Sequence, residues 1–123
     1  MKSSIEELEI YNKTVELSNL IWNLVIKWDH FPKSTIGNQL VRAIDSVSAN
    51  IAEGYGRGSK IDNARFTKIA RGSLFETKHW IIQSAKRKLI NEAESKELIN
   101  QVENLLPRIS AYINFLLKSS DKK

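Results

Sequence analysis

The sequence predicts an all-α domain, an antiparallel up-down-up-down four-helix bundle, and three observations carry that prediction. Apolar residues recur at steps of three and four along most of the 123-residue chain. The intervals between these stretches are short and hold proline, glycine, serine and asparagine, the residues that begin and end helices. No segment shows the alternation of a half-buried strand. The length suits one domain spanning 1–123, enough to bury roughly two-thirds of the surface its unfolded chain exposes.

The first helix is expected at about 5–29, with Leu8, Tyr11, Val15, Trp22, Val25 and Ile26 turned inward. It should stop at Asp29-His30-Phe31-Pro32, because proline disfavours helical geometry in the residue before it and lacks a backbone donor. A second helix at about 35–56 aligns Leu40, Ile44, Val47, Ile51 and Tyr55 on one stripe. Gly54, Gly56 and Gly58 then end it, and Ser59 with Asp62 three residues on is an N-cap signal for a third helix at about 60–89. Its inner side is read as Phe66, Ile69, Ala70, Ser73, Leu74, Thr77, Trp80, Ile81 and Ala85, and Gly72 in its middle suggests a close helix contact. Asn91 and Glu94 resemble a capping box opening a fourth helix at about 92–118, where Leu98, Val102, Leu105, Ile109, Tyr112 and Leu116 make the cleanest stripe in the chain. Pro107 falls inside that stripe and should bend or divide the helix, and the tail at 119–123 should fray.

Composition narrows the function classes. With no cysteine, disulfide frameworks, thiolate zinc sites and thiol catalysis are excluded. The acidic, apolar-poor start Met1-Lys2-Ser3-Ser4-Ile5-Glu6-Glu7 is unlike a secretory signal, no apolar run reaches the roughly 20 residues that cross a bilayer, and a cytoplasmic location follows as the expectation. Asn12-Lys13-Thr14 is then a chance sequon. The net charge is +5, and it is unevenly placed: 31–90 hold eleven Lys/Arg against four Asp/Glu, whereas 1–30 hold three against five. A basic middle suits either an acidic partner or a solvated helix face.

A second stripe on the second helix, Arg42, Ser46, Asn50, Glu53 and Arg57, lies beside the apolar one, and Arg65, Ser73 and Glu76 answer it from the third. Glu76 with Arg42, and Glu53 with Arg57 or Arg65, would complete an interhelical network, either an internal brace or a surface for a partner or subunit. Arg42-Ala43, Ser46, the run Asn50-Ile51-Ala52-Glu53-Gly54-Tyr55-Gly56-Arg57, then Phe66, Ala70, Gly72-Ser73 and Glu76 resemble the four-helix family of 23S rRNA-intervening sequence proteins. Phe31-Pro32-Lys33 falls in the expected order, and the likeness covers Leu8 to Leu117; Asp45 and Ser48 depart from the apolar residue and proline usual there. The resemblance implies a ring-like homo-oligomer, typically a pentamer. It also points to the related accessory proteins of diversity-generating retroelements, which bind a reverse transcriptase and nucleic acid.

Other chemistry is weaker. Glu76-Thr77-Lys78-His79 has the Glu-x-x-His spacing of di-iron helices but occurs once, and the other histidine, His30, stands in a turn. Gly54-Tyr55-Gly56-Arg57-Gly58-Ser59-Lys60 matches no nucleotide-binding fingerprint. Two histidines without a serine or acid partner make no triad, and Arg71 with His79 does not reproduce a helical ribonuclease motif, so no catalytic residue, metal ligand or cofactor is expected. The candidate phosphate contacts are Arg57, Lys60, Lys68, Arg71, Lys78, Lys86, Arg87 and Lys88. The reading is a non-catalytic RNA- or DNA-associated accessory module, the alternative a scaffold that binds only proteins.

Overall fold

The computed structural model describes residues 4–120, in which four long helices pack around one core: α1 (Glu9–Val25), α2 (Asn38–Tyr55), α3 (Lys60–Lys86) and α4 (Glu92–Ser120). The chain is all-α, with no strand among the described residues. The α2–α3 and α3–α4 contacts are the most extensive, followed by α1–α2 and α1–α4, so α1 and α3 lie across the core from one another.

Two of the expected end signals act as written. The Asp62 backbone N–H donates to Ser59 Oγ at 3.2 Å, opening α3. At α4 the capping box is reciprocal: the Glu94 N–H donates to Asn91 Oδ1 at 2.7 Å and the Asn91 N–H to Glu94 Oε1 at 2.9 Å. Pro107 does not divide α4, which is continuous from Glu92 to Ser120. Ser119 and Ser120 therefore belong to the helix, and the rest of the expected frayed tail, 121–123, lies outside the described residues, as does the 1–3 portion of the start.

The first connection differs from expectation. α1 stops at Val25 rather than 29, and begins at Glu9 after a separate 3₁₀ turn, Ile5–Glu7, because Leu8 is extended. Beyond it, His30–Pro32 is already helical and runs through a π turn, Lys33–Gly37, directly into α2. Pro32 thus opens the second helical stretch instead of closing the first. In a first turn the missing N–H costs nothing, since that donor has no intrahelical partner there.

The core stripes of α2 and α4 are those predicted: Leu40, Ile44, Val47 and Ile51 are buried, as are Leu98, Val102, Leu105, Ile109 and Leu116, while Tyr55 and Tyr112 are half-buried. On α1 the expected stripe is displaced. Ile10, Thr14, Leu17, Ser18, Ile21 and Val25 face the core, whereas Trp22 and Ile26 are exposed. α1 is apolar around much of its last two turns, so periodicity admits two stripes there. The structure takes the other, and the Ser18 hydroxyl on that stripe donates to the Asp45 carboxylate of α2. On α3 Ala64, Thr67, Ala70, Leu74, Thr77, Ile81 and Ser84 are buried, and Ile69, expected inside, is exposed. Thr67, Thr77 and Ser84 tolerate burial because each hydroxyl donates to the carbonyl four residues back, at 2.8 Å in every case.

Gly72 also departs from expectation. A Cβ built there meets nothing within 4 Å, so the residue makes no close contact within the chain. Gly72→Ala is accordingly expected to raise stability by about 0.5–1 kcal/mol, read as a higher urea midpoint with an unchanged slope. A loss of stability would contradict the open position.

Candidate nucleic-acid interface

Where α2 meets α3, the polar strip resolves into two unlike parts. Its inner part joins the helices: Ser46 Oγ and Ser73 Oγ are 2.9 Å apart, and the Asn50 amide donates to the Ser46 carbonyl at 2.8 Å and to its hydroxyl at 3.0 Å. All three residues are half-buried, so hydroxyls and an amide supply the brace. The outer part is charged and exposed, and its pairs are local. Arg57 Nε lies 3.2 Å from Glu53 one turn earlier, and Arg65 pairs at 2.8 Å with Asp62 rather than with Glu53. Glu76 does not reach Arg42; it accepts a hydrogen bond from Trp80 Nε1 at 3.2 Å, and Arg42 has no ion pair among the described residues. The expected charged interhelical network therefore does not form. Its members stand on the solvent side, where a nearby carboxylate on the same helix costs less side-chain entropy than one across the gap. Such exposed pairs contribute only about 0–1 kcal/mol each.

Phe66 links this strip to the helix connection. The Arg57 guanidinium sits 4.7 Å from its ring centroid and that of Arg65 5.6 Å, so two cations share one aromatic ring. Beneath it, a second brace was not legible in the sequence. The Asn63 amide donates to the Tyr112 hydroxyl at 3.1 Å, and Thr67 Oγ1 donates to the Asn63 carbonyl at 2.8 Å. Burial pushes the Tyr112 phenol above its ordinary range, against the opposing effect of the Asn63 hydrogen bond. The i, i+4 spacing of Asn63 and Thr67 hints at the first of these contacts, but nothing local points to Tyr112, 49 residues away.

The eight candidate phosphate contacts divide by partner. Lys78 pairs with Glu103, Arg71 donates to Ser110 Oγ at 3.1 Å, and Arg57 holds Glu53. Lys60, Lys68, Lys86, Arg87 and Lys88 are exposed and have no carboxylate partner among the described residues. Three of these five are consecutive at the C-terminal end of α3. The chain turns there by a glycine-type ending: the Leu89 N–H donates to the Ser84 carbonyl at 2.9 Å and the Lys88 N–H to Ala85 at 3.0 Å. Lys88 occupies the left-handed position with φ 63°, where a glycine would sit without strain. A cation is thus held where the backbone disfavours any side chain. The helix dipole offsets part of the local repulsion, because its negative end faces these residues.

His79 is exposed on α3 and packs edge-on against Trp80, ring centroids 4.7 Å apart. No group of three His, Asp or Glu side chains able to hold a metal ion gathers among the described residues. Among the described residues, no helix is long and apolar enough to cross a membrane.

The family model for the 23S rRNA-intervening sequence protein matches residues 6–111, which takes in all of the polar strip and the cationic turn. The chain belongs to the 23S rRNA-intervening sequence protein family. A solved relative agrees with it in fold: the crystal structure of a protein of unknown function from the S23 ribosomal protein family of Bacteroides thetaiotaomicron has a TM-score of 0.76 and 22% identity, covering 85% of this chain and 97% of that one. A search of curated proteins gives no match. The run Asn50 to Arg57 lies within the matched span and contributes Asn50 to the Ser46–Ser73 brace, Gly54 to the close approach of α3 and Arg57 to the contact with the Phe66 ring.

Proposed function

We propose that this family member is a non-catalytic accessory module of the cytoplasm that associates with RNA through the cationic end of α3. The observation that carries the reading is Lys86-Arg87-Lys88: three adjacent exposed cations without carboxylate partners among the described residues, one of them kept in a backbone conformation suited to glycine. Lys60 and Lys68 extend the same charge along α3. Contacts of this type neutralise backbone phosphates without reading bases, so RNA and DNA both fit, and affinity falls as salt rises. The non-catalytic part is supported by the local engagement of the Glu-x-x-His pair, Glu76 by the Trp80 indole and His79 by the Trp80 ring.

The same reading takes the four helices as an up-down-up-down bundle and its working form as a ring of identical copies, five by family resemblance. Two apolar clefts flank α1: one lined by Trp22, Val25, Ile26 and Val41 towards α2, of about 290 Å³, the other by Leu20, Leu24 and Leu98 towards α4, of about 320 Å³. Contacts between unlike surfaces generate closed rings, whereas a self-complementary patch gives a dimer. A protein partner such as a reverse transcriptase is compatible with such a platform.

Anisotropy of a labelled mixed-sequence RNA, titrated at several salt concentrations, tests the nucleic-acid role. Binding at low salt whose logarithm falls linearly with the logarithm of salt concentration is expected. Absence of binding at the lowest salt would remove the role and leave a protein-binding scaffold.

A further inference from the structure

α3 carries a second periodic face that the core does not use. Ile61, Lys68, Phe75 and Ile82 recur every seven residues, and Arg65, Gly72, His79 and Lys86 form a parallel row four residues on. All eight positions are exposed, Phe75 at 55% and Ile61 at 57%. Steps of four and three are the spacing one helix presents to another in a coiled coil, where each apolar side chain enters a gap between residues of the facing helix. Gly72 lies in the middle of this seam with open space where a side chain would stand. Helix propensity disfavours glycine there and no contact within the chain requires it, so its use is to admit a neighbouring backbone closely.

Charge narrows what that neighbour is. α3 carries six Lys/Arg against two Asp/Glu, and neither row of the seam contains a carboxylate. Both carboxylates of α3 are engaged beside the seam, Asp62 by Arg65 and Glu76 by Trp80. We infer that the outer seam of α3 is a docking surface for an acidic amphipathic helix of a partner protein. Its apolar residues meet Ile61, Phe75 and Ile82, its backbone passes over Gly72, and its carboxylates flank Lys68 and Lys86. A single nucleic-acid strand suits the seam less well: of its two flat rings His79 already packs edge-on against Trp80, which leaves Phe75, and the aliphatic Ile61 and Ile82 offer no stacking face.

The seam shares Lys68 and Lys86 with the proposed RNA contacts, but Gly72 and Phe75 lie outside that set, which allows separate tests. The probe is a fluorescent synthetic helix of about four heptads, leucine at the core positions and glutamate at the flanking ones. A copy with lysine in place of glutamate and a mixed-sequence RNA serve as comparisons, all titrated with the full chain. The acidic helix is expected to bind at least tenfold tighter than the basic one. Gly72→Leu, which fills the gap with a good helix former, and Phe75→Ser, which removes the central apolar side chain by another route, should each weaken it tenfold or more while leaving RNA affinity unchanged. Equal binding of the two helices would overturn the inference. So would variants that lose RNA instead, which would make the seam a nucleic-acid face, or variants whose scattering mass falls without peptide, which would make a second copy its occupant.

Discussion

Gly54→Val is expected to destabilise the chain by about 3 kcal/mol, and Gly54→Ala by roughly 1–2 kcal/mol, because the position has no room. A Cβ at Gly54 would stand 2.7 Å from Asn63 Oδ1, 2.9 Å from the Asn63 carbonyl oxygen and 3.0 Å from Phe66 Cβ. The carbonyl belongs to the first turn of α3 and cannot move without shifting the helix. Displacing the Asn63 side chain would break its hydrogen bonds to Tyr112 and Thr67 together. For a domain of this size the valine variant should melt roughly 10–15 °C lower. The contrast with Gly72 sharpens the test, since both are helical glycines and alanine should act in opposite directions at the two. If Gly54→Ala proves stabilising, as propensity alone would have it, the close approach of α2 to α3 is wrong.

Charge reversal of the turn, Lys86→Glu with Arg87→Glu and Lys88→Glu, is expected to lower RNA affinity by about two to three orders of magnitude at low salt and to flatten the salt dependence by about three ions. Stability should change little, because all three side chains are exposed and make no ion pair with the described residues. Lys88→Gly separates backbone from charge. It relieves the left-handed conformation at φ 63° and should stabilise the chain by up to about 1 kcal/mol while still weakening RNA binding. Paired measurements of melting and RNA anisotropy check both effects, and a triple variant that binds RNA as well as the parent would exclude this turn as the contact.

The order of the four helices, the caps at Ser59 and Asn91 and the core of α2 and α4 were legible in the sequence, because each rests on residues close together in the chain. The α1 stripe was not. Six of the seven residues from Leu20 to Ile26 are apolar, so period alone leaves the inward face undetermined, and contact with α2 decides it. Pro32 was misassigned because proline stops a helix when it comes late and is tolerated when it comes early, and the sequence does not say which helix it belongs to. In the candidate site, Ser46, Asn50 and Ser73 could be placed together by spacing. The partners of Arg65, Glu76 and Arg42 could not, since each long side chain chooses among several neighbours and the local one wins for the first two. Lys88 in a left-handed turn and the outer seam of α3 become visible only once the exposed faces are known.

The most direct test of an oligomeric RNA-associated module is the absolute mass of the purified chain by light scattering, at low and at high salt, with and without a mixed-sequence RNA. The account predicts a mass several times the 14.1 kDa of one chain at both salts. It also predicts that RNA mass is added at low salt and lost at high salt. A 14.1 kDa species that ignores RNA at either salt would contradict both the assembly and the nucleic-acid role.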